Sequence, residues 1–116
     1  MKAKRGMIAL VTELTRDYSR GGYAGEPAHR HYFGVVTKIT REGMAKEISV
    51  IGGGKTYVFP SRYGREKLVG LVGPERVDID AAIAAIAPIQ NPGNAKTWHM
   101  WESETKAVEF LKRFKL

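Results

Sequence analysis

The sequence predicts an α+β fold: a small antiparallel β-sheet or open barrel of about five strands, followed by one or two C-terminal helices. Three observations predict it. Short β-rich runs separated by glycine turns fill residues 1–76. From residue 77 onward, apolar residues recur at helical spacing. A chain of 116 residues is long enough to bury a core as a single domain, 1–116.

The central hairpin of the predicted sheet spans residues 30–50. Strand side chains alternate between two faces, so one set in residues 30–40 is predicted to face the core and the other to face away. The predicted inward set is His31, Phe33, Val35, Thr37 and Ile39. Gly43 supplies the positive φ that a short hairpin loop with a bulge requires, and residues 44–50 form the return strand.

Three further strands are predicted around this hairpin. Residues 6–14 form a first strand, residues 57–59 a short run and residues 67–72 one more short strand. The glycines at 52–54 are similar to part of a phosphate-binding loop. Ser49 stands where that motif needs its first glycine, and no helix start follows, so a strand-to-strand turn is predicted instead.

Two segments between these strands are basic and aromatic. Residues 15–28 are low in aliphatic residues and rich in glycine, which predicts a long exposed loop. Residues 61–67 form a second loop of the same chemistry. Tyrosines in such loops can stack on bases while arginines contact phosphates. The same composition is also typical of mobile connectors.

The predicted helices lie in residues 77–116. Asp78 is a good N-cap for a first helix, which Pro88 ends. Its apolar positions recur at three- and four-residue spacing: Ile79, Ala82, Ile83 and Ile86. Ser103 is predicted to cap a terminal helix with the apolar stripe Ala107, Phe110, Leu111 and Phe114. Residues 95–101 fit either a last strand or the start of a long helix, and we predict the strand.

Positive charge is concentrated in the predicted sheet. The formal net charge is +7, and up to Arg76 there are fourteen Lys or Arg against seven Asp or Glu, whereas from Val77 onward there are five of each. Because phosphate neutralisation dominates non-specific nucleic-acid affinity, this asymmetry favours a non-enzymatic module that binds DNA or RNA. The alternative is that the basic composition only keeps the protein soluble. The predicted contact residues are Arg16, Tyr18, Arg20, Tyr23, Arg30, Lys38, Lys55, Arg62, Tyr63 and Arg65.

Other classes of site find little support in the sequence. Cysteine is absent, which excludes disulfides and thiol chemistry and suits a cytoplasmic protein. No stretch approaches the ~20 apolar residues that span a membrane. His29 and His31 are the candidates for a small enzyme, but no third metal ligand and no paired carboxylates accompany them at a recognisable spacing. We therefore predict no cofactor, no metal and no enzymatic activity.

Two tryptophans support a rival hypothesis. Trp98 and Trp101 lie three residues apart, and tryptophan is enriched where protein partners dock. The rival function is a protein-binding module, such as a phage-encoded modulator of a host protein. The same two residues also fit a role as core anchors.

One local pattern carries a resemblance. Residues 33–46, FGVVTKITREGMAK, resemble a pattern in small uncharacterised proteins of actinobacteria and their phages, and residues 106–111, KAVEFL, extend the similarity. This resemblance implies no activity, cofactor or site residue. By fold analogy alone, strands of this length with a long first loop and tight later turns are similar to small barrels of the Tudor and KOW type, which implies nucleic-acid or peptide binding.

Overall fold

The computed structural model describes residues 2–17, 26–53, 55–61, 64, 66–90 and 103–116, and of residues 15–17 and 26–28 it describes only the backbone. The strands are β1 (Ile8–Asp17), β2 (Glu26–Ile39), β3 (Ala45–Val50), β4 (Thr56–Val58) and β5 (Glu66–Val72). They form an open antiparallel sheet in the order β4-β3-β2-β1-β5. Two helices follow in the described residues, α1 (Ile79–Ile86) and α2 (Glu104–Leu111), and α2 continues into the 3-10 helix Lys112–Phe114. The predicted α+β class is confirmed.

β1 and β2 form a long antiparallel pair that the sequence did not predict. Their register runs without a break from Ile8 opposite Val35 to Asp17 opposite Glu26. The prediction of a loop over residues 15–28 is therefore wrong at both ends. Pairing with the opposite strand outweighs the low β-propensity of these polar residues, because strand propensity depends strongly on tertiary context.

The predicted central hairpin is confirmed as β2 and β3, and its glycine turns are confirmed with it. Gly43 adopts φ +83° in the hairpin loop, and Gly52 adopts φ +76° in the turn that leads from β3 to β4. A Cβ at Gly52 would lie 2.6 Å from the carbonyl oxygens of Ala87 and Gln90. Only glycine fits this position without a shift of the backbone.

Both faces of the sheet are buried along the middle of β2, whereas the sequence predicted one inward face. Tyr32, Phe33 and Val36 are all buried, although neighbouring strand residues point to opposite faces. Ile39, predicted to face the core, is exposed. The cluster beneath the helices includes Ile8, Leu10, Phe33, Ile86 and Leu111. The cluster on the other face includes Met7, Val11, Tyr32, Ile48 and Tyr57.

The cluster on the face away from the helices is enclosed because the sheet curls. The hydroxyl group of Tyr57 on β4 donates a short hydrogen bond to Glu13 Oε2 on β1, although β3 and β2 lie between these strands. In a flat sheet, three strand spacings would separate them by about 14 Å. The curvature thus creates the buried second face of the sheet.

The helices follow their predicted signals closely. Asp78 Oδ1 accepts a hydrogen bond from Ala81 N (3.2 Å) at the start of α1, as predicted for an N-cap. Ser103 occupies the N-cap position of α2, but its side chain makes no capping hydrogen bond, so that part of the prediction is wrong. The predicted stripe of α2 is confirmed by the burial of Ala107 and Leu111. The predicted strand at residues 95–101 lies outside the described residues.

Gln90, just beyond α1, joins the helical layer to the sheet. Its Oε1 accepts a hydrogen bond from Phe33 N (2.7 Å), and its Nε2 donates to the carbonyl oxygens of Phe33 (2.6 Å) and Ile51 (3.0 Å). The side chain is almost completely buried. It provides hydrogen-bond partners to the backbone at the point where β3 gives way to the turn at Gly52.

Candidate nucleic-acid interface

Three of the ten predicted contact residues have described side chains: Arg30, Lys38 and Lys55. The other seven lie outside the described side chains, namely Arg16, Tyr18, Arg20, Tyr23, Arg62, Tyr63 and Arg65. Trp98 and Trp101, on which the rival protein-binding hypothesis depends, also lie outside the described residues.

Arg30 is buried, with only 6% of its surface exposed. Its Nη1 donates to the carbonyl oxygen of His29 (3.3 Å), and its Nε finds no hydrogen-bond partner in the described part of the chain. The guanidinium group of Arg30 is thus largely withdrawn from the surface, and its predicted phosphate contact stays a prediction.

Lys55 belongs to the network that closes the curled sheet. Its Nζ lies 3.2 Å from Glu13 Oε2, which also accepts the hydrogen bond of Tyr57, and 4.9 Å from the centroid of the Tyr57 ring. Burial raises the pKa of Tyr57, and the neighbouring Glu13 raises it further, so the phenol remains a hydrogen-bond donor. Glu13 thus offsets the positive charge of Lys55.

Lys38 lies at the other end of β2. Lys55 forms its ion pair with Glu13 of β1, and Glu13 lies opposite Arg30 of β2. Lys38 is eight residues beyond Arg30 along β2. At the rise of an extended chain this separation is about 26 Å. Lys38 and Lys55 are therefore too far apart to contact the same phosphate group.

A cleft beside Lys38 gathers other cations. Arg5, Lys38 and Lys46 line it together with Thr37 and Ile39, and its volume is about 230 Å³. The three cations come from three segments, which are the N-terminal stretch, β2 and β3. We call this site the hairpin cleft.

The N-terminal segment is fixed across the hairpin by its backbone. Ala3 N donates to the carbonyl oxygen of Gly43 (2.7 Å), and Gly6 N donates to that of Val36 (2.9 Å). Ala3 is buried, which anchors the two lysines that flank it. The position of Arg5 in the cleft is therefore set by main-chain hydrogen bonds on both sides.

The cations around the cleft are exposed and outnumber the acids of the same segments. Within residues 2–6 and 38–47, six Lys or Arg accompany two Glu, which are Glu42 and Glu47. Lys38 Nζ lies 3.5 Å from Glu47 Oε2, and the Lys38 side chain is 66% exposed. An ion pair this exposed contributes little free energy and leaves the lysine able to exchange partners. The six cations are Lys2, Lys4, Arg5, Lys38, Arg41 and Lys46.

Five of these six cations were missed by reasoning from the sequence. Lys38 alone was predicted as a contact. A signal for the others was present: an antiparallel β1 that starts opposite Val35 must place the basic residues 2–5 toward the tip of the β2–β3 hairpin. Only the register of β1 against β2 shows that these residues lie near the hairpin tip.

A second cleft brings both candidate enzyme histidines near a carboxylate. His29, His31, Thr12, Lys67 and Glu104 line it, and its volume is about 620 Å³. His31 Nδ1 and Thr12 Oγ1 form a hydrogen bond of 2.8 Å. Burial lowers the pKa of His31, while the negative charge of Glu104 acts in the opposite direction and His29 lowers it further.

This second cleft lacks part of a nucleophilic constellation. A hydroxyl group activated by histidine also needs a third group that orients the imidazole. Among the described residues, no hydrogen bond from such a group to His31 is present beside the one with Thr12. The described residues also contain no group of three or more His, Asp or Glu placed to hold a metal ion.

Comparison with protein-family models, with curated proteins and with solved structures finds no significant match to this chain. In the described ranges, neither α-helix has the length and apolar composition needed to cross a bilayer.

Proposed function

We propose that the protein is a non-enzymatic module that binds DNA or RNA, with the hairpin cleft as the centre of its contact surface. The observation that carries this proposal is the convergence of Arg5, Lys38 and Lys46 on one cleft. Only Lys38 belongs to both this surface and the contact set predicted from the sequence.

The charge and exposure of the surrounding residues support the proposal. Phosphate groups are bound by exposed Lys and Arg, and the release of condensed counterions drives the association. The cleft has a basic segment on each side, and those segments carry two acids against six cations. The absence of cysteine also suits the reducing environment of the cytoplasm, where we place this activity.

The first test is a salt titration with fluorescently labelled, mixed-sequence oligonucleotides, in single-stranded DNA, duplex DNA and RNA forms. With three to four phosphates neutralised, affinity is expected to fall about 100-fold between about 50 mM and about 200 mM salt. No change in fluorescence anisotropy at low salt would contradict nucleic-acid binding for any form of the oligonucleotide.

A matched pair of double variants tests the location. Arg5→Glu with Lys46→Glu reverses two charges in the hairpin cleft and is expected to weaken binding about 10- to 100-fold, since it removes contacts and adds repulsion. Lys112→Glu with Lys115→Glu changes the net charge equally at another surface and is expected to weaken binding much less. Equal losses in the two variants would show that net charge, and not this cleft, determines binding.

A further inference from the structure

An apolar groove lies between β5 and α2, on the helical face of the sheet. Its volume is about 600 Å³. Leu10, Val69 and Val72 contribute from the sheet, and Val108 and Leu111 contribute from α2. Val108 is 40% exposed, so the groove is open to solvent along its helical wall.

β5 is the last strand of the described sheet, and no other described strand pairs with its outer edge, which runs along the groove. β5 pairs with β1 and, among the described residues, with no other strand. The N–H and C=O groups of alternate residues therefore point outward from the edge and can pair with another extended chain.

Gly70 marks an open position inside the groove. It lies opposite Leu10, so a side chain at this position would project to the helical face. A Cβ there would meet no atom within 4 Å in the described part of the chain. Glycine in the interior of a strand often marks a bulge or a place where a ligand or another backbone approaches closely, and the β1–β5 register shifts next to Gly70.

One end of the groove is basic. Arg76, Lys112 and Lys115 line it, and within the described ranges none of the three forms an ion pair. Glu75 also lines the groove, and its carboxylate lies beside Gly73, with its oxygens 2.8 and 2.9 Å from where a Cβ of that residue would lie, so three cations accompany one acid at this end. Glu104 lines the opposite end. An occupant with acidic groups at the basic end is thus the complementary one.

We propose that this groove binds an extended acidic peptide segment of another protein, which adds a strand to the edge of β5. Main-chain hydrogen bonds to β5 supply affinity, and alternate apolar side chains enter the groove over Gly70 and Val72. Acidic side chains of the peptide contact Lys112 and Lys115. This binding site is separate from the hairpin cleft, and neither proposal depends on the other.

The test uses a library of random octapeptides displayed on phage and selected on the full chain, followed by synthesis of the enriched peptides. The enriched sequences are expected to alternate apolar residues and to carry Asp or Glu at one end. Backbone amide chemical shifts are expected to change in β5 and α2 on binding. Failure to enrich any sequence, enrichment of basic sequences, or shifts confined to the β2–β3 hairpin would overturn the proposal.

Two variants locate the peptide without depending on the selection. Lys112→Glu with Lys115→Glu is expected to weaken the enriched peptides about tenfold, the effect of losing two exposed charge contacts and gaining repulsion. Gly70→Phe is expected to abolish binding by filling the groove, and thermal unfolding verifies that it still folds. Arg5→Glu with Lys46→Glu serves as the control and leaves peptide affinity unchanged. Peptide binding that survives Gly70→Phe would place the ligand elsewhere.

Discussion

At the scale of single residues, Gly52 shows how a turn becomes a packing constraint. The sequence predicted a flexible turn at the run of glycines, and the backbone of Gly52 does adopt the positive φ of a turn. The approach of two carbonyl oxygens from the segment after α1 is a tertiary contact that no local pattern reports. The turn was therefore predictable, but its role in holding the helical layer was not.

Gly52→Ala is expected to destabilise the protein by about 3 kcal/mol, the sum of the left-handed backbone cost and the displacement of Ala87 and Gln90. Gly6→Ala is the matched control, because Gly6 has φ +92° but a Cβ there would meet no described atom within 4 Å. It is expected to lose only about 1 kcal/mol. Urea denaturation measures the free energy of unfolding of both variants. Equal losses of stability would show that the contact with Ala87 and Gln90 is unimportant.

His31 couples stability to pH through its burial. Burial lowers its pKa below the ordinary value of 6.5, so the unfolded chain binds the proton more readily than the folded one. The contribution of His31 to stability is therefore fully present above pH 6.5, and it is lost as the pH falls from there through the pKa of His31 in the folded state. Thr12, Lys67, His29 and Glu104 surround the imidazole, and Glu104 reduces the effect.

We expect the free energy of unfolding to fall as the pH is lowered below 6.5, and His31→Gln to remove most of that fall. His29→Gln, at an exposed position, should retain the pH dependence. Urea denaturation at several pH values provides the comparison. A wild-type protein with the same stability across this range would contradict the assignment to His31.

At the scale of elements, strands and helices with strong local signals were predictable, and those that depend on a partner were not. The glycine at position 43 predicted a hairpin turn, and Gly43 does adopt a positive φ there. The apolar spacing of residues 79–86 likewise predicted α1. The ends of β1 and β2 are polar and form strands only because each pairs with the other over its whole length. The hairpin cleft could not be predicted for the same reason. Arg5 reaches it because the residues before Ile8 continue the line of β1 alongside β2.

The two helix starts offer a matched comparison of capping. Asp78→Ala removes a side chain that accepts from Ala81 N, and a loss of about 1 kcal/mol in the free energy of unfolding is expected. Ser103→Ala removes a side chain without such a hydrogen bond, and the expected loss is close to zero. Thermal unfolding of both variants tests this. A larger loss for Ser103→Ala would reverse the assignment of the caps.

At the scale of the whole molecule, described cations gather on one surface that the sequence did not indicate, around the hairpin cleft. The +7 net charge was visible in the sequence, but its distribution depends on strand register and on local acids. Glu13 offsets Lys55, and burial removes Arg30 from the surface. The hairpin cleft and the groove beside β5 lie on opposite sides of β1, which lets one small sheet present two separate surfaces.

The hydrogen bonds between Gln90 and the Phe33 backbone affect how the folded state opens. The amide hydrogen of Phe33 is held by a side chain that follows α1 and not by a neighbouring strand. Its exchange with deuterated solvent therefore follows detachment of the helical layer, whereas amides bonded between strands exchange when the sheet itself separates. A single backbone position in the centre of β2 thus acts as an internal reporter of whether the two layers come apart together or in sequence.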